Sequence, residues 1–306
     1  MNINMIMIMN MNIRIKQISL DDVIANDKVR YNTSNHWEND IKPENYDENI
    51  KNTYTNKWID KWIDKWIDEF KDYKKIIIDT KLDLNWMKKA LKIGSITGNF
   101  PHLYDDELED MSERYTKKYG KIFDGKSYFI RTDNVSLKEG KHGVGPYKDF
   151  KTIIESIVTC RLGHAPLKDD TTFITLYLIK FKENLNRLQE FRVFVNKNKI
   201  TAISQQALYD SNVILAKLDE TERMKVIHKW IQIITKYFED EIKKRITHID
   251  SYVMDFAILN DFTPYFIEVN PFGKEYTSGS ALFGWIQDED ILYGENKNSI
   301  EFRYTI

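Results

Sequence analysis

The sequence predicts an α+β protein, and three stretches carry that prediction. Between Tyr252 and Gly273, two runs rich in β-branched and aromatic residues, YVMDFAIL and PYFIEVNPFG, flank the polar break NDFT, the pattern of a hairpin. A second hairpin is read from Glu190–Val195 and Lys199–Gln205, turning across Asn196–Asn198. Amphipathic segments of helical period accompany them, the strongest over Glu222–Ile242, with Asp219 placed to cap it. Helices mixed with antiparallel hairpins belong to the α+β class.

Composition narrows the function classes. The chain has 306 residues, 42% hydrophobic and 13% aromatic, enough for one large domain or two intimate ones. A formal net charge of −2 provides no overall basic field to recruit nucleic acid, leaving a local basic groove as the open alternative. The single cysteine, Cys160, excludes an intrachain disulfide and a cysteine-rich zinc site, fits a reducing interior, and reads as a small buried apolar residue. Met1–Met11 is apolar but interrupted by Asn2, Asn4 and Asn10, and lacks a basic leader and a small-residue cleavage site. No run reaches the ~20 apolar residues of a membrane helix. The expectation is a soluble cytoplasmic protein with no membrane contact.

In chain order, residues 1–56 read as an Asn-rich N-terminal extension in which Ile13, Ile15 and Ile18 suggest a small strand. KWIDKWIDKWID, Lys57–Asp68, sets Trp58, Trp62 and Trp66 four apart, the spacing of an amphipathic helix whose stripe belongs in a core. A lobe over 57–170 is expected to hold a strand in Lys74–Leu82, a helix over about Asp83–Ile93 and a break at Gly94–Pro101. Helices over Asp105–Gly120 and Phe150–Arg161 and a strand at Ser127–Thr132, ending near Arg131, complete that lobe. A second lobe over 171–306 starts with the strand Phe173–Phe181, in which Lys180 shares a face with Ile174, Leu176 and Leu178.

Spacing also points to chemistry. Strand side chains alternate with period two, so Glu268 and Asn270 share a face. A hairpin pairing Leu259 with Pro264, Ala257 with Phe266 and Asp255 with Glu268 brings Asp255 to that face. Two carboxylates and an amide oxygen on an apolar sheet repel one another unless a cation or donors intervene. Hard oxygens of this kind suit Mg²⁺; a solvated hairpin face is the alternative. Arg131, Lys180 and Arg192 are cations in strands, the side chains that recognise phosphate. For Arg192 an ion pair with Glu190 is the competing reading, and for Lys180 simple snorkelling. GKHGVG at Gly140–Gly145 has the GxxxxG spacing, but Pro146 and Tyr147 stand where a P-loop needs Lys and Ser/Thr. A mobile glycine loop over phosphates and a plain flexible surface loop both remain open. No HExxH and no GxSxG occurs.

YFIRTDNVSLKEG, EFRVFVNKNKITAISQ, DSYVMDF, FIEVNPFG followed by ALFGW, and the terminal EFRYTI together resemble the cell division cycle protein 123 family, over about residues 66–306. The resemblance implies an ATP-grasp-type fold, two α+β lobes with ATP and Mg²⁺ bound between them, the C-terminal lobe carrying the metal-binding hairpin. By position, Arg131 matches a family lysine that contacts nucleotide, Lys138 a nearby basic residue, and Arg192 the arginine of the EFR motif. Asp255, Glu268 and Asn270 match the metal ligands, with Glu268 in place of the usual aspartate. Ile179 stands where the family often has an arginine, and Gln206 replaces another basic position. The glycine-rich insertion Gly140–Gly145 is a possible compensation. Members act as assembly factors for translation initiation factor 2 by binding its gamma subunit. The alternative is an ATP-grasp ligase, of carboxylate–amine or RNA type.

Overall fold

The structure is a computed structural model that describes residues 12–33, 70–133, 135–276, 278–295 and 299–306. The Trp–Ile repeat at 57–68 lies outside the described residues, as does most of the expected N-terminal extension. In chain order the main elements are β1 (Asn12–Ile18), α1 (Leu20–Ala25), β2 (Tyr73–Ile78), α2 (Lys81–Thr97), α3 (Asp105–Tyr119), β3 (Tyr128–Thr132), α4 (Phe150–Thr159) and β4 (Ile174–Lys180). They continue with β5 (Glu190–Asn196), β6 (Lys199–Gln205), α5 (Glu220–Tyr237), β7 (Tyr252–Ile258), β8 (Pro264–Pro271) and β9 (Ser299–Thr305). The α+β class is as the sequence predicts.

The chain divides into two compact units, one of Thr55–Glu183 and one joining Met1–Tyr54 to Asn184–Ile306. The boundary expected at 170/171 is therefore displaced. Its physical reason is β4, which pairs antiparallel with both β2 and β3 and forms the centre of the sheet β2-β4-β3. A strand hydrogen-bonded on both edges cannot be assigned to a different unit from its neighbours.

In this first unit, one face of the sheet carries Ile76, Ile78, Ile130, Leu176 and Leu178, which pack with α2, α3 and α4 into one core. Leu108, Met111 and Tyr115 of α3 and Ile153, Ile154, Ile157 and Val158 of α4 face inward as their spacing predicts. Cys160 is buried in the same core, and burial pushes its thiol up to about 12, so it is an apolar side chain and no nucleophile. The break expected over Gly94–Pro101 begins only at Gly98. Gly94 is buried inside α2, where a Cβ would stand 2.3 Å from the carbonyl oxygen of Val158. The glycine permits close helix approach, and α2 ends instead at Gly98, whose φ of 70° supplies the left-handed cap.

The second unit is built on a six-stranded sheet of order β1-β9-β6-β5-β7-β8. The small strand suggested by Ile13, Ile15 and Ile18 is present as β1, but it is no part of a separate extension. It pairs in parallel with β9, from Asn12↔Ser299 to Ile18↔Thr305. Val23 and Tyr31 behind it are buried with Ile18, Leu208 and Leu282. The hairpin β5–β6 turns at Lys197 and Asn198, both at positive φ, as a tight two-residue turn requires. On one face of the sheet Phe191 packs on Trp230 of α5, ring centroids 5.3 Å apart. Asp219 caps α5 by accepting from the amide of Glu222, and the helix continues as a π-turn over Phe238–Ile242. The opposite face carries the candidate site.

Candidate functional site

Asp255 lies in β7, a strand buried along its whole length and otherwise aliphatic and aromatic. A carboxylate in that setting needs partners. Its neighbour across the β7–β8 ladder is Glu268, as the sequence predicts. The register holds from Tyr252↔Pro271 to Asp255↔Glu268 and then slips, so that Phe256 faces Phe266, Ala257 faces Tyr265 and Ile258 faces Pro264. The expected pairings of Leu259 with Pro264 and Ala257 with Phe266 are thus off by one toward the turn. A bulge opposite the Asp255/Phe256 step absorbs the extra residue. The bulge falls beside the carboxylates and leaves their own pairing intact.

Arg192 of β5 sits directly across from Asp255 on the other side of β7. Its Nε donates to Asp255 Oδ1 at 2.9 Å and its Nη2 to Oδ2 at 2.8 Å, a bidentate pair with the guanidinium side chain 12% exposed. The third donor, Nη1, reaches the carbonyl oxygen of Gly279 at 2.6 Å. The competing sequence reading of Arg192 was an ion pair with Glu190. The structure gives it Asp255 instead, because a direct cross-strand neighbour is closer than a residue two along the same strand. Burial alone would lower the guanidinium. The Asp255 charge, the hydrogen bonds to Asp255 and the Glu268 charge outweigh burial and hold Arg192 above its ordinary value. Asn270 completes the group by donating from Nδ2 to Asp255 Oδ2 at 3.2 Å. Asp255, Glu268 and Asn270 therefore meet as predicted, with Arg192 holding the central carboxylate.

The sheet continues this polar line beyond the predicted residues. The registers place Lys16, Arg303, Ser204, Arg192, Asp255 and Glu268 side by side across all six strands. Arg303 donates from Nε to Glu301 at 2.7 Å and through Nη1 and Nη2 to Asp288 at 2.7 and 2.6 Å. Its Nη1 also reaches the carbonyl of Leu282 at 3.0 Å, while Ser204 Oγ accepts from the amide of Leu282, also at 3.0 Å. The loop after β8 is thus tied to the sheet beside the candidate site. Sequence reasoning missed Arg303, Ser204 and Asp288. The signal was the repeated tripeptide EFR, Glu190–Arg192 and Glu301–Arg303. In each copy Glu and Arg take one face of a strand and Phe the other, and Phe191 and Phe302 meet on that other face, centroids 5.9 Å apart.

The remaining predicted residues belong to the first unit. Arg131 of β3 is half-buried and opposite Tyr177 of β4, on the sheet face that also carries Tyr73, Phe129 and Ile179. Lys180 is opposite Tyr128, so it alternates to the other face, and it is exposed. The sheet does not bring Arg131 and Lys180 together. Lys138 is exposed on a single 3₁₀ turn, Leu137–Glu139.

The glycine loop differs from both of its sequence readings. The amide of Lys141 donates to Thr159 Oγ1 at 2.8 Å and that of His142 to Ser156 Oγ at 3.3 Å. The amides of Gly140, Gly143 and Gly145 are bonded to Leu137, Gly140 and His142 carbonyls. A Cβ at Gly140 would stand 2.4 Å from the carbonyl oxygen of Ser156. Lys141 Nζ and His142 Nε2 both reach the Glu155 carboxylate, at 3.0 and 2.5 Å. Burial would raise the Glu155 carboxyl, but these two partners outweigh it and hold it below its ordinary value. The loop is fastened along α4, and these five amides already have protein acceptors in place of a phosphate.

Comparison with known proteins follows the same sequence stretches. A family model described as D123 matches residues 153–306, just over half of the 306-residue chain. A protein of Candida albicans named translation initiation factor eIF2 assembly protein is 33% identical over 116 residues. That match covers 37% of this chain and 30% of the relative's length. Among solved structures, Cdc123 from Schizosaccharomyces pombe superposes with a TM-score of 0.54 at 16% identity, covering 85% of this chain and 98% of that one. A C-terminally truncated form of the same protein gives 0.51 at 15% identity, covering 81% and 97%. At these identities the likeness shows the fold.

Proposed function

The chain belongs to the D123 family, and from that premise we propose that it is a MgATP-binding assembly factor for translation initiation factor 2, engaging the gamma subunit of that factor. The observation that carries the nucleotide reading is the meeting of Asp255, Glu268 and Asn270 on one sheet face, with Arg192 holding Asp255. The name of the Candida albicans relative, an eIF2 assembly protein, supports the assembly role.

The donor set fits Mg²⁺. Asp255 contributes a hard carboxylate donor that Arg192 and Asn270 hold in place. Glu268 and the Asn270 amide add hard oxygens, the ligands Mg²⁺ prefers alongside phosphate. When bound, the ion would offset the charge of the polyphosphate against the two carboxylates. The chain's own residues do the rest. Arg192 fixes the orientation of Asp255 and prevents it from being a lone buried charge, while Glu268 and Asn270 set the second side of the site.

A ligase reading drew on the altered basic positions Ile179 and Gln206 and on the glycine loop. With that loop fastened to α4, the reading keeps only the altered positions as support. Calorimetric titration of ATP with and without Mg²⁺ tests the proposal. Wild type should bind ATP only weakly without metal, and Asp255→Asn should weaken MgATP binding at least tenfold, about 1.4 kcal/mol. Capture of the gamma subunit without nucleotide turnover supports the assembly role. Formation of ADP or AMP only with an added acceptor would replace it by the ligase.

A further inference from the structure

We propose that Thr33 is a positioning residue for the Asp255–Glu268–Asn270 site, acting through the loop at 278–285 and through Arg192. The inference deepens the MgATP reading and rests on it. The contacts are continuous. The amide of Asn32 donates to the Ala281 carbonyl at 2.6 Å, and the amide of Ser280 donates to the Thr33 carbonyl at 3.1 Å. Thr33 Oγ1 accepts from the amide of Trp285 at 2.8 Å and lies 2.9 Å from Ser280 Oγ. The single proton of the Ser280 hydroxyl is directed at the Phe283 carbonyl, so the Thr33 hydroxyl is the donor to Ser280. One residue before Ser280, the Gly279 carbonyl accepts from Arg192 Nη1, and the other bonded donors of Arg192 hold both oxygens of Asp255.

The geometry at Gly279 shows how closely these groups meet. A Cβ there would stand 2.6 Å from Asn32 Oδ1 and 3.3 Å from Arg192 Nη1. Asn32 and Ala281 both have left-handed backbones, φ 48° and 49°. Non-glycine residues hold such angles only where the surroundings over-determine them, and here each is fixed by the bond between the two. Docking of the segment itself has another source, since Ile18, Val23 and Tyr31 pack with Leu208 and Leu282. The hydroxyl of Thr33 is available for aligning the loop.

The test compares the full-length wild type with Thr33→Val, Thr33→Ser and Tyr31→Phe. It reads the Mg²⁺ concentration for half-maximal ATP binding, the solvent exchange of the Arg192 Nε–H by nuclear magnetic resonance, and the melting temperature. Thr33→Val should raise the Mg²⁺ midpoint about fivefold, the effect of one net hydrogen bond, and should speed exchange at Arg192. Thr33→Ser should restore both. Tyr31→Phe, which removes the 2.5 Å bond to Asp22, should lower the melting temperature and leave the other two readings unchanged. Wild-type exchange at Arg192 in Thr33→Val overturns the inference, and so does an unchanged Mg²⁺ midpoint where wild type binds MgATP. A wild type that binds no MgATP overturns the proposed function instead, and the exchange rate then still decides whether Thr33 aligns Arg192.

Discussion

Arg192 shows how one side chain can serve both folding and ligand binding. Removing one partner of a buried ion pair strands the other, at a cost of about 3–5 kcal/mol. Arg192→Ala should therefore lower the apo melting temperature markedly, and MgATP should restore less of it than in wild type. Arg192→Lys keeps the charge but loses the planar fork, and should fall between the two in both readings. Thermal melts with and without MgATP check this, and an Ala variant that melts like wild type removes the pair from the argument. The same pair explains why Asp255→Asn is a cleaner probe than Asp255→Ala, which would leave the guanidinium without its acceptor. At this scale the carboxylates were legible in the sequence because Glu268 and Asn270 alternate on one strand and the hairpin fixes Asp255 opposite. The partner of Arg192 was not, since it lies 63 residues away and the β5–β7 pairing has no local signature. The same holds for Arg303 and Asp288, which meet only once β9 and the preceding loop are in place.

Elements were legible where periodicity alone decides and were misread where packing decides. The inward faces of α3 and α4 follow from spacing, whereas the helix read over about Asp83–Ile93 runs on through Gly94, although glycine is a poor helix former. In α2 it is instead required by the neighbouring helix. Gly94→Ala should destabilise the protein by about 1–3 kcal/mol despite the better helix propensity of alanine, because the added carbon meets the Val158 carbonyl; denaturant titration measures it. The loop at Gly140–Gly145 gives a pH-dependent counterpart. Because Glu155 has a depressed folded value, its contribution is complete above the ordinary glutamate range and is lost as pH falls through the folded value. The protection of the Lys141 and His142 amides, their exchange relative to an unstructured chain at the same pH, should fall over that acidic window. In Glu155→Gln the protection should already be lower at neutral pH and should no longer change across the acidic window. Exchange that is unchanged in the variant would show that the hydroxyls of Ser156 and Thr159 hold the loop unaided.

At the scale of the whole chain, the sequence reading set residues 1–56 apart as an N-terminal extension, and the parallel pairing of β1 with β9 argues otherwise. Deletion of residues 1–33 should abolish the cooperative unfolding of the unit that contains Asn184–Ile306 and leave a transition for Thr55–Glu183. Calorimetry distinguishes this from a harmless truncation, in which both transitions persist. Among the described residues no helix is long and apolar enough to cross a membrane. The domain boundary was unreadable for the same reason as β1: both depend on strand partners far along the chain. That connectivity also sets a timetable for synthesis. β9 lies between β1 and β6, so the six-stranded sheet cannot close until residues 299–305 have left the ribosome. At about 5–20 residues per second, β1 waits roughly 15–60 s for its neighbour. The strands of the Thr55–Glu183 unit, by contrast, are all available by residue 180. Through that interval the nascent chain carries an unmatched strand whose exposed Arg14 and Lys16 are the kind of edge charges that discourage pairing with the wrong partner.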